Sequence, residues 1–146
     1  MTSENENNLI SKILTRKVIS INENQTVYDA IKLLSENKIG ALPVINNQMK
    51  LCGIISERDI IHKMSENKKI DFSQVFINSI MTYKVITCIK NTQSNELMKI
   101  MTINKIRHIQ ILEKGSLIGI VSIGDVVKRL LEKFNLENEE LKSWLY

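Results

Sequence analysis

The chain carries the heptapeptide Gly53-Ile54-Ile55-Ser56-Glu57-Arg58-Asp59 and repeats its pattern at Gly119-Ile120-Val121-Ser122-Ile123-Gly124-Asp125. Each copy reads Gly, two β-branched aliphatic residues, Ser, two variable residues and Asp. A Gly followed by an apolar pair is typical of a buried strand end, and the Ser predicts the start of a helix. The hydroxyl, the carboxylate and backbone N–H groups would meet there and could hold a sugar diol beside a phosphate. Two copies predict two pseudo-equivalent ligand sites.

The repeat extends well beyond this motif. Residues 13–20 match residues 80–87, and residues 29–34 match residues 96–101, both with an offset of 67 positions. A repeat of about 50 residues buries too little surface to be stable alone, so we expect the two repeats to share one core.

The hydrophobic periodicity changes in the same order within each repeat. In the first repeat, short apolar runs predict strands at 18–21, 41–45 and 51–55, and helical spacing predicts helices at 26–34 and 56–64. Thr26 followed by Asp29 predicts a capping box, and Pro43 favours an edge or strand-start position. The second repeat predicts the same order at 85–89, 94–101, 109–112, 117–121 and 122–134. The order in each repeat is therefore β-α-β-β-α.

These features resemble a known family. The element order, the paired motifs, Ile39-Gly40-Ala41-Leu42-Pro43-Val44 and Ile106-Arg107-His108-Ile109 are similar to a cystathionine-β-synthase (CBS) domain pair, also called a Bateman module. Residues 122–128 also resemble the small stand-alone bacterial members. The resemblance covers residues 13–134 and implies an α/β fold in which two pseudo-symmetric β-α-β-β-α repeats pack as one module. The chain departs from the family pattern at Gln110, where the second repeat would carry proline.

The resemblance implies boundaries along the chain. We expect a flexible N-terminal segment at 1–12, CBS repeats at 13–66 and 78–135, a linker at 67–77 and a C-terminal tail at 136–146. In the tail, Leu141, Trp144 and Leu145 fit one helical face, which could pack on the module or on a second copy. Since the family forms discs of two modules, we expect a homodimer.

The resemblance also implies a regulatory module that binds an adenosine derivative: AMP, ADP, ATP, NAD or S-adenosylmethionine. Asp59 and Asp125 would hold ribose hydroxyls, and Ser56 and Ser122 would lie beside the ribose or phosphate. The residues at the positions that wrap adenine in the family are Thr15, Val18, Thr82 and Val85.

Three basic residues are candidates for phosphate binding. Arg107 offers a planar fork for phosphate oxygens, His108 follows it, and Arg58 precedes Asp59. The alternative is that Arg107 and His108 are an exposed basic pair at a strand entrance. Gly40 and Ala41 occupy the equivalent positions of the first repeat, so we expect the two sites to differ.

The Ser/Asp pairs also have a purely structural interpretation. Ser at a helix N-cap satisfies an orphan N–H, and an acid three residues later completes a capping box. A Ser can cap a helix and bind a ligand, whereas an Asp cannot easily do both. The duplication favours ligand binding over capping alone.

Composition limits the remaining classes of function. With 146 residues, 43% hydrophobic and 25% charged, the chain is typical of a globular protein, and we expect it in the cytoplasm. It contains no apolar run long enough to span a membrane, and its acidic start is unlike a signal peptide. Despite the net charge of +4, scattered Lys and Arg without interleaved aromatic residues argue against nucleic-acid binding.

No catalytic or metal-binding set stands out. Cys52 and Cys88 fall in predicted strands and are expected to be reduced thiols. His62 and His108 lack ligand-spaced partners, so we expect no metal site. Neither a nucleophile–base–carboxylate set nor a Walker-type loop occurs, which argues against an enzyme with a catalytic site or an obligatory cofactor.

We therefore interpret the chain as a non-catalytic sensor of adenine nucleotides whose bound state is read by an unknown regulated protein. The first alternative is a scaffold or interaction protein that binds no ligand and acts through its dimer surface. A weaker alternative is an enzyme, because CBS pairs are often inserted into nucleotide-processing dehydrogenases.

Overall fold

A computed structural model of the chain describes residues 9–133. These residues form two compact units, which are considered separately. The first unit contains residues 18–86 with 115–117, and the second contains residues 9–17, 87–114 and 118–133. Residues 1–8 and 134–146 lie outside the described part of the chain, and with them the expected C-terminal tail.

The described residues contain five α-helices and six strands. In chain order these are α1 (Leu9–Ile13), β1 (Ile21–Asn22), α2 (Val27–Asn37), β2 (Ala41–Ile45), β3 (Leu51–Ser56), α3 (Glu57–Glu66), β4 (Thr87–Cys88), α4 (Ser94–Asn104), β5 (His108–Glu113), β6 (Ser116–Ser122) and α5 (Ile123–Lys133). Two 3-10 turns, Phe72–Gln74 and Ile77–Ser79, lie between α3 and β4. The predicted α/β class and the β-α-β-β-α order are confirmed. No helix in residues 9–133 has the length and apolar character needed to cross a membrane.

The first unit is built on a three-stranded sheet in the order β1-β2-β3. Strand β2 runs parallel to β1 and antiparallel to β3. The ladder with β1 begins at Val44, one residue after Pro43. Because proline has no N–H to donate, this placement leaves Pro43 where β2 is paired on one side only.

The core of the first unit forms where α2 and α3 pack on this sheet. The predicted capping box opens α2, with the Thr26 hydroxyl accepting from the Asp29 N–H, and the helix buries Val27, Ala30 and Leu34. The buried core is lined by Ile21, Val27, Ala30, Leu34, Leu42, Val44, Ile55, Ile60, Ile77 and Met81.

The segment expected to be a linker, residues 67–77, packs against this core. The Val27 N–H donates to the Val75 carbonyl at 2.8 Å, and Ile77 is fully buried. Its apolar side chains explain the difference, because Val75 and Ile77 gain more from burial than from exposure.

The second unit repeats this plan with the sheet order β4-β5-β6. Strand β4 runs parallel to β5, and Gln110 pairs with Thr87 at the start of the ladder. Gln110 occupies the position of Pro43 and supplies the backbone N–H that proline lacks, so this ladder begins one position earlier. The Gln110 side chain is 1% exposed, and its Nε2 has no hydrogen-bond partner among the described residues.

Helix α1 belongs to the core of the second unit. Leu9, Ile10 and Ile13 are buried there with Val121 and Val126. Residues 9–12 were expected to be part of a flexible segment, but they are helical because three apolar side chains on one face of a short helix find a buried partner surface.

The predicted strands at 18–21 and 85–89 are each reduced to two residues, Ile21–Asn22 and Thr87–Cys88. Only these residues lie alongside a neighbouring strand, so the preceding apolar residues continue as irregular chain rather than as a ladder.

Candidate functional site

The first candidate site lies at the N-terminus of α3. The Ser56 hydroxyl accepts from the Asp59 N–H at 3.2 Å, and Asp59 Oδ2 accepts from the Ser56 N–H at 2.9 Å and from its hydroxyl at 3.0 Å. Ser56 and Asp59 therefore form a capping box. Asp59 forms no ion pair with any side chain in residues 9–133, and no described group donates to its Oδ1.

The second candidate site lies at the N-terminus of α5 and has almost the same geometry. The Ser122 hydroxyl accepts from the Asp125 N–H at 3.2 Å. Asp125 Oδ2 accepts from the Ser122 N–H and hydroxyl, both at 2.9 Å. The capping-box interpretation of both Ser/Asp pairs is thus confirmed.

A cation distinguishes the second site from the first. Arg16 donates from Nη1 to Asp125 Oδ1 at 3.3 Å and from Nη2 to Asp125 Oδ2 at 3.1 Å. Its counterpart in the first unit is Tyr83, whose hydroxyl donates to the Asn78 carbonyl. Sequence reasoning missed Arg16, although a cation next to Thr15 with no cation at the matching position was a visible signal.

The electrostatics at Asp125 reflect this pairing. Partial burial alone would raise the pKa of Asp125, but the Ser122 and Arg16 hydrogen bonds and the Arg16 charge outweigh it and lower the pKa. The carboxylate is therefore held in its charged form.

Thr82 is brought to the first site by a close backbone approach. Ile54 and Thr82 exchange N–H to carbonyl hydrogen bonds of 3.0 and 2.9 Å, two residues before Ser56. A Cβ on Gly53 would lie 2.9 Å from the Thr82 carbonyl oxygen and 2.7 Å from the Met81 sulfur. The glycine of the motif is therefore required by this approach.

Thr15 occupies the matching region of the second unit. Its hydroxyl donates to the Lys12 carbonyl at 2.7 Å. A Cβ on Gly119 would lie 3.3 Å from Leu14 and 3.2 Å from Ile111. The loop that carries Thr15 and Arg16 is thus packed beside β6, which leads into α5.

Arg107 lies at the start of α5, and its counterpart at the start of α3 is Gly40. The Arg107 carbonyl accepts from the Ile123 N–H at 2.8 Å, which places the Arg107 backbone at the N-terminus of α5, and its side chain is exposed. The Gly40 carbonyl accepts from the Glu57 N–H at 2.9 Å at the start of α3, so the two starts match in backbone but not in charge.

The remaining sequence-predicted residues are His108, Arg58, Val18 and Val85. His108 begins β5 and is half-buried, and Arg58 is exposed in the first turn of α3. Val18 and Val85 are half-buried in the first unit, and within residues 9–133 neither forms a hydrogen bond with a Ser/Asp pair. Within single units, the structure groups Ser56, Asp59 and Thr82, and separately Thr15, Ser122, Asp125 and the Arg107 backbone.

A cleft of about 210 Å³ opens beside Asp125 in the second unit. It is lined by Leu9, Lys12, Ile13, Arg16, Asp125, Lys128, Arg129 and Glu132. Among the described residues that line it, four are cations and two are carboxylates, and Glu132 contacts both Lys12 and Arg129 at 3.7 Å. The described lining of the cleft thus has more positive than negative side chains.

The two cysteines are thiols of low reactivity. Both are free thiols; Cys88 is buried and Cys52 is half-buried. The Cys52 thiol donates to Glu23 Oε2 at 3.1 Å. Burial first, and then Glu23, raise the pKa of Cys52 to about 12. Within residues 9–133, no three His, Cys, Asp or Glu side chains are grouped so that they could hold a metal ion.

Comparison with known sequences identifies the repeats. The sequence model of the CBS domain matches residues 10–66 and 77–132. The mitochondrial CBS domain-containing protein CBSX3 of Arabidopsis thaliana is 37% identical over 124 residues, which is 82% of this chain and 60% of that protein. The chain thus spans less than two thirds of that relative. An inosine-5'-monophosphate dehydrogenase of Methanocaldococcus jannaschii is 29% identical over 81% of this chain and 23% of the enzyme, so CBS domains also occur within enzymes.

Solved structures agree with the sequence comparison. A CBS-domain protein from Burkholderia ambifaria superposes with a TM-score of 0.76 at 35% identity, covering 83% of this chain and 92% of that chain. The CBS domain pair of protein MJ0100, solved with 5'-methylthioadenosine and S-adenosyl-L-methionine, superposes with a TM-score of 0.75 at 27% identity, covering 85% and 96%. Because the family's sequence model matches both repeats, and because solved CBS-domain proteins share the fold, the chain belongs to the CBS-domain family as a tandem pair.

Proposed function

We propose that this protein is a non-catalytic regulatory module that binds an adenine nucleotide, with AMP, ADP, ATP and NAD as candidates. The observation that carries the proposal is the duplicated Ser/Asp arrangement, which recurs at the starts of α3 and α5 with hydrogen bonds that agree within 0.1 Å. The related MJ0100 pair, at 27% identity, was solved with two adenosine derivatives.

The chemistry of each helix start suits a nucleotide. Asp59 Oδ1 can accept a hydrogen bond from a ribose hydroxyl, while its Oδ2 keeps the helix capped. The positive end of the helix dipole favours a phosphate nearby. On this proposal, Thr82 lies beside the ligand at the first site, and Thr15 lies beside it at the second.

Binding alone would serve as the signal. A ligand that prefers one arrangement of the protein shifts the population toward that arrangement, and a partner protein can read the change. The proposed role needs no bond to be made or broken in the nucleotide. We place this activity in the cytoplasm and expect the protein to act as a homodimer.

Isothermal titration calorimetry with AMP, ADP, ATP, NAD and GMP tests the proposal. Adenine compounds should bind, and GMP should bind more weakly. At about 100 times the dissociation constant, each occupied site should add about 2.7 kcal/mol to the free energy of unfolding. The absence of heat and of thermal stabilisation with every adenine compound would refute ligand sensing.

A second candidate, a scaffold that binds no ligand, is favoured by one observation. Both Ser/Asp pairs are satisfied as capping boxes by the protein itself. A scaffold should retain self-association in the absence of nucleotide, and no nucleotide should change it. Analytical ultracentrifugation with and without AMP separates the two candidates.

A further inference from the structure

Arg16 holds the carboxylate that the proposed function assigns to ribose at the second site. Both guanidinium nitrogens donate to Asp125, at 3.3 and 3.1 Å. The Arg16 side chain is 54% exposed and that of Asp125 is 22% exposed. The pair therefore joins an exposed cation to an anion that is mostly enclosed.

This pairing engages both oxygens of the carboxylate. Asp125 accepts from the Ser122 N–H, the Ser122 hydroxyl and two nitrogens of Arg16. A carboxylate offers about four acceptor positions, so a ribose diol cannot bind Asp125 fully while Arg16 remains. The neutral hydroxyls of a ribose would also replace a bidentate, charge-assisted contact. Such a contact is stronger than hydrogen bonds from neutral donors.

Within residues 9–133, no side-chain cation contacts the carboxylate of the first site. Asp59 accepts only from Ser56 among the described residues, and Tyr83 stands where Arg16 stands in the second unit. A ribose can therefore reach Asp59 without displacing a cation.

A displaced Arg16 would be stabilised further by a new anion nearby. Among the described residues, the second acid that lines the cleft is Glu132, which already contacts Lys12 and Arg129. A phosphate group on the ligand would supply the missing anion, because a guanidinium binds phosphate oxygens in the same two-pronged manner as a carboxylate.

We propose that Arg16 makes the Asp125 site selective for adenine ligands that carry a phosphate, since the ribose takes the carboxylate and the phosphate takes the guanidinium. This inference rests on the proposed function. It predicts that adenosine binds poorly at Asp125, whereas the Asp59 site discriminates less between adenosine and AMP.

Site-resolved NMR titration of the full chain tests the proposal. The Ser122 and Asp125 amides report on the second site, and the Ser56 and Asp59 amides report on the first. Adenosine and AMP are each added to the wild type, Arg16→Ala, Arg16→Gln and Lys17→Ala. Lys17 is the matched control, because it is the adjacent exposed cation. The amide spectrum itself shows whether each variant is folded.

Arg16→Ala and Arg16→Gln should each tighten adenosine binding and weaken AMP binding at the second site. The ratio of the AMP to adenosine affinities should fall by about tenfold, since loss of a charge-assisted contact is worth about one decade. Lys17→Ala should leave this ratio within about twofold of wild type, as expected for an exposed charge.

The outcomes separate the inference from the function. If both ligands bind at α5 and the affinity ratio is the same in wild type and both Arg16 variants, the selectivity role of Arg16 is wrong while nucleotide binding stands. Binding at the Asp59 site alone would also overturn it. If neither ligand shifts the amides of either helix start in any variant, the proposed function itself fails.

Discussion

The carbonyl oxygen of Thr82 lies only 2.9 Å from the position that a Cβ on Gly53 would occupy. This distance is shorter than real side chains tolerate against backbone, so the strand that ends at Ser56 can approach Thr82 only because residue 53 is glycine. The approach places Thr82 beside Ile54, which lies two positions before Ser56 of the first candidate site.

Gly53→Ala should therefore destabilise the protein. We expect a loss of about 1–3 kcal/mol in the free energy of unfolding, the usual cost of forcing extra volume into a packed site. Gly124→Ala is the matched control, since its Cβ would meet only the Ser122 hydroxyl at 3.6 Å and alanine favours a helix. Urea denaturation of both variants measures the effect. Equal stability of the two variants would contradict the close-approach explanation.

The stability of the protein should depend on pH through Asp125. Its pKa is lowered in the folded state, so its contribution is present above the unfolded value of about 3.9 and is lost as the pH falls through the lowered folded value. Arg16→Ala should raise the pKa of Asp125 and weaken this dependence. Urea denaturation between about pH 6 and pH 3, together with carboxyl NMR of Asp125, measures both. An unchanged Asp125 pKa in Arg16→Ala would show that the ion pair does not form in solution.

Asp59→Ala should affect both stability and binding. Loss of the capping box should lower the free energy of unfolding by about 1 kcal/mol. Loss of a charged acceptor should weaken AMP binding at that site by about 1.5–3 kcal/mol, or one to two decades. Glu57→Ala is the control, because Glu57 is an exposed acid in the same helical turn. Calorimetry that shows lost stability with unchanged AMP affinity would assign Asp59 to capping alone.

The Cys52 thiol should react slowly near neutral pH. Burial and Glu23 raise its pKa to about 12, and the thiolate is the reactive form. Glu23→Gln should lower this pKa and speed alkylation by iodoacetamide several-fold, although burial keeps the pKa raised. Cys88, whose pKa burial raises to about 11, serves as the internal control in the same peptide-resolved mass spectrometry. An unaltered Cys52 rate in the variant would rule out the influence of Glu23.

The repeated local patterns predicted much of the fold. Strand β2 spans the predicted residues 41–45, and Thr26 and Asp29 form the predicted capping box. These features depend on neighbours within a few positions, which is the range over which sequence periodicity and capping chemistry act. The duplicated Ser/Asp pairs were found for the same reason.

Features that depend on distant contacts were not predicted. Arg16 and Asp125 are 109 positions apart, and their pairing depends on α1 packing in the second unit. The five residues of α1 are too few for a periodic pattern to stand out. The strand preceding each of α2 and α4 looked longer because apolar residues precede its two paired positions.

The second unit has a consequence for the order of events during synthesis. Its helix α1 is translated more than 100 residues before Val121 and Val126, beside which it is buried. The first unit, drawn almost entirely from residues 18–86, is translated in between. Contacts between such distant segments form slowly, and the nascent α1 remains without these partners until residues 121–126 have been translated. Removing residues 9–13 would thus take three buried side chains from the cluster that contains Val121 and Val126.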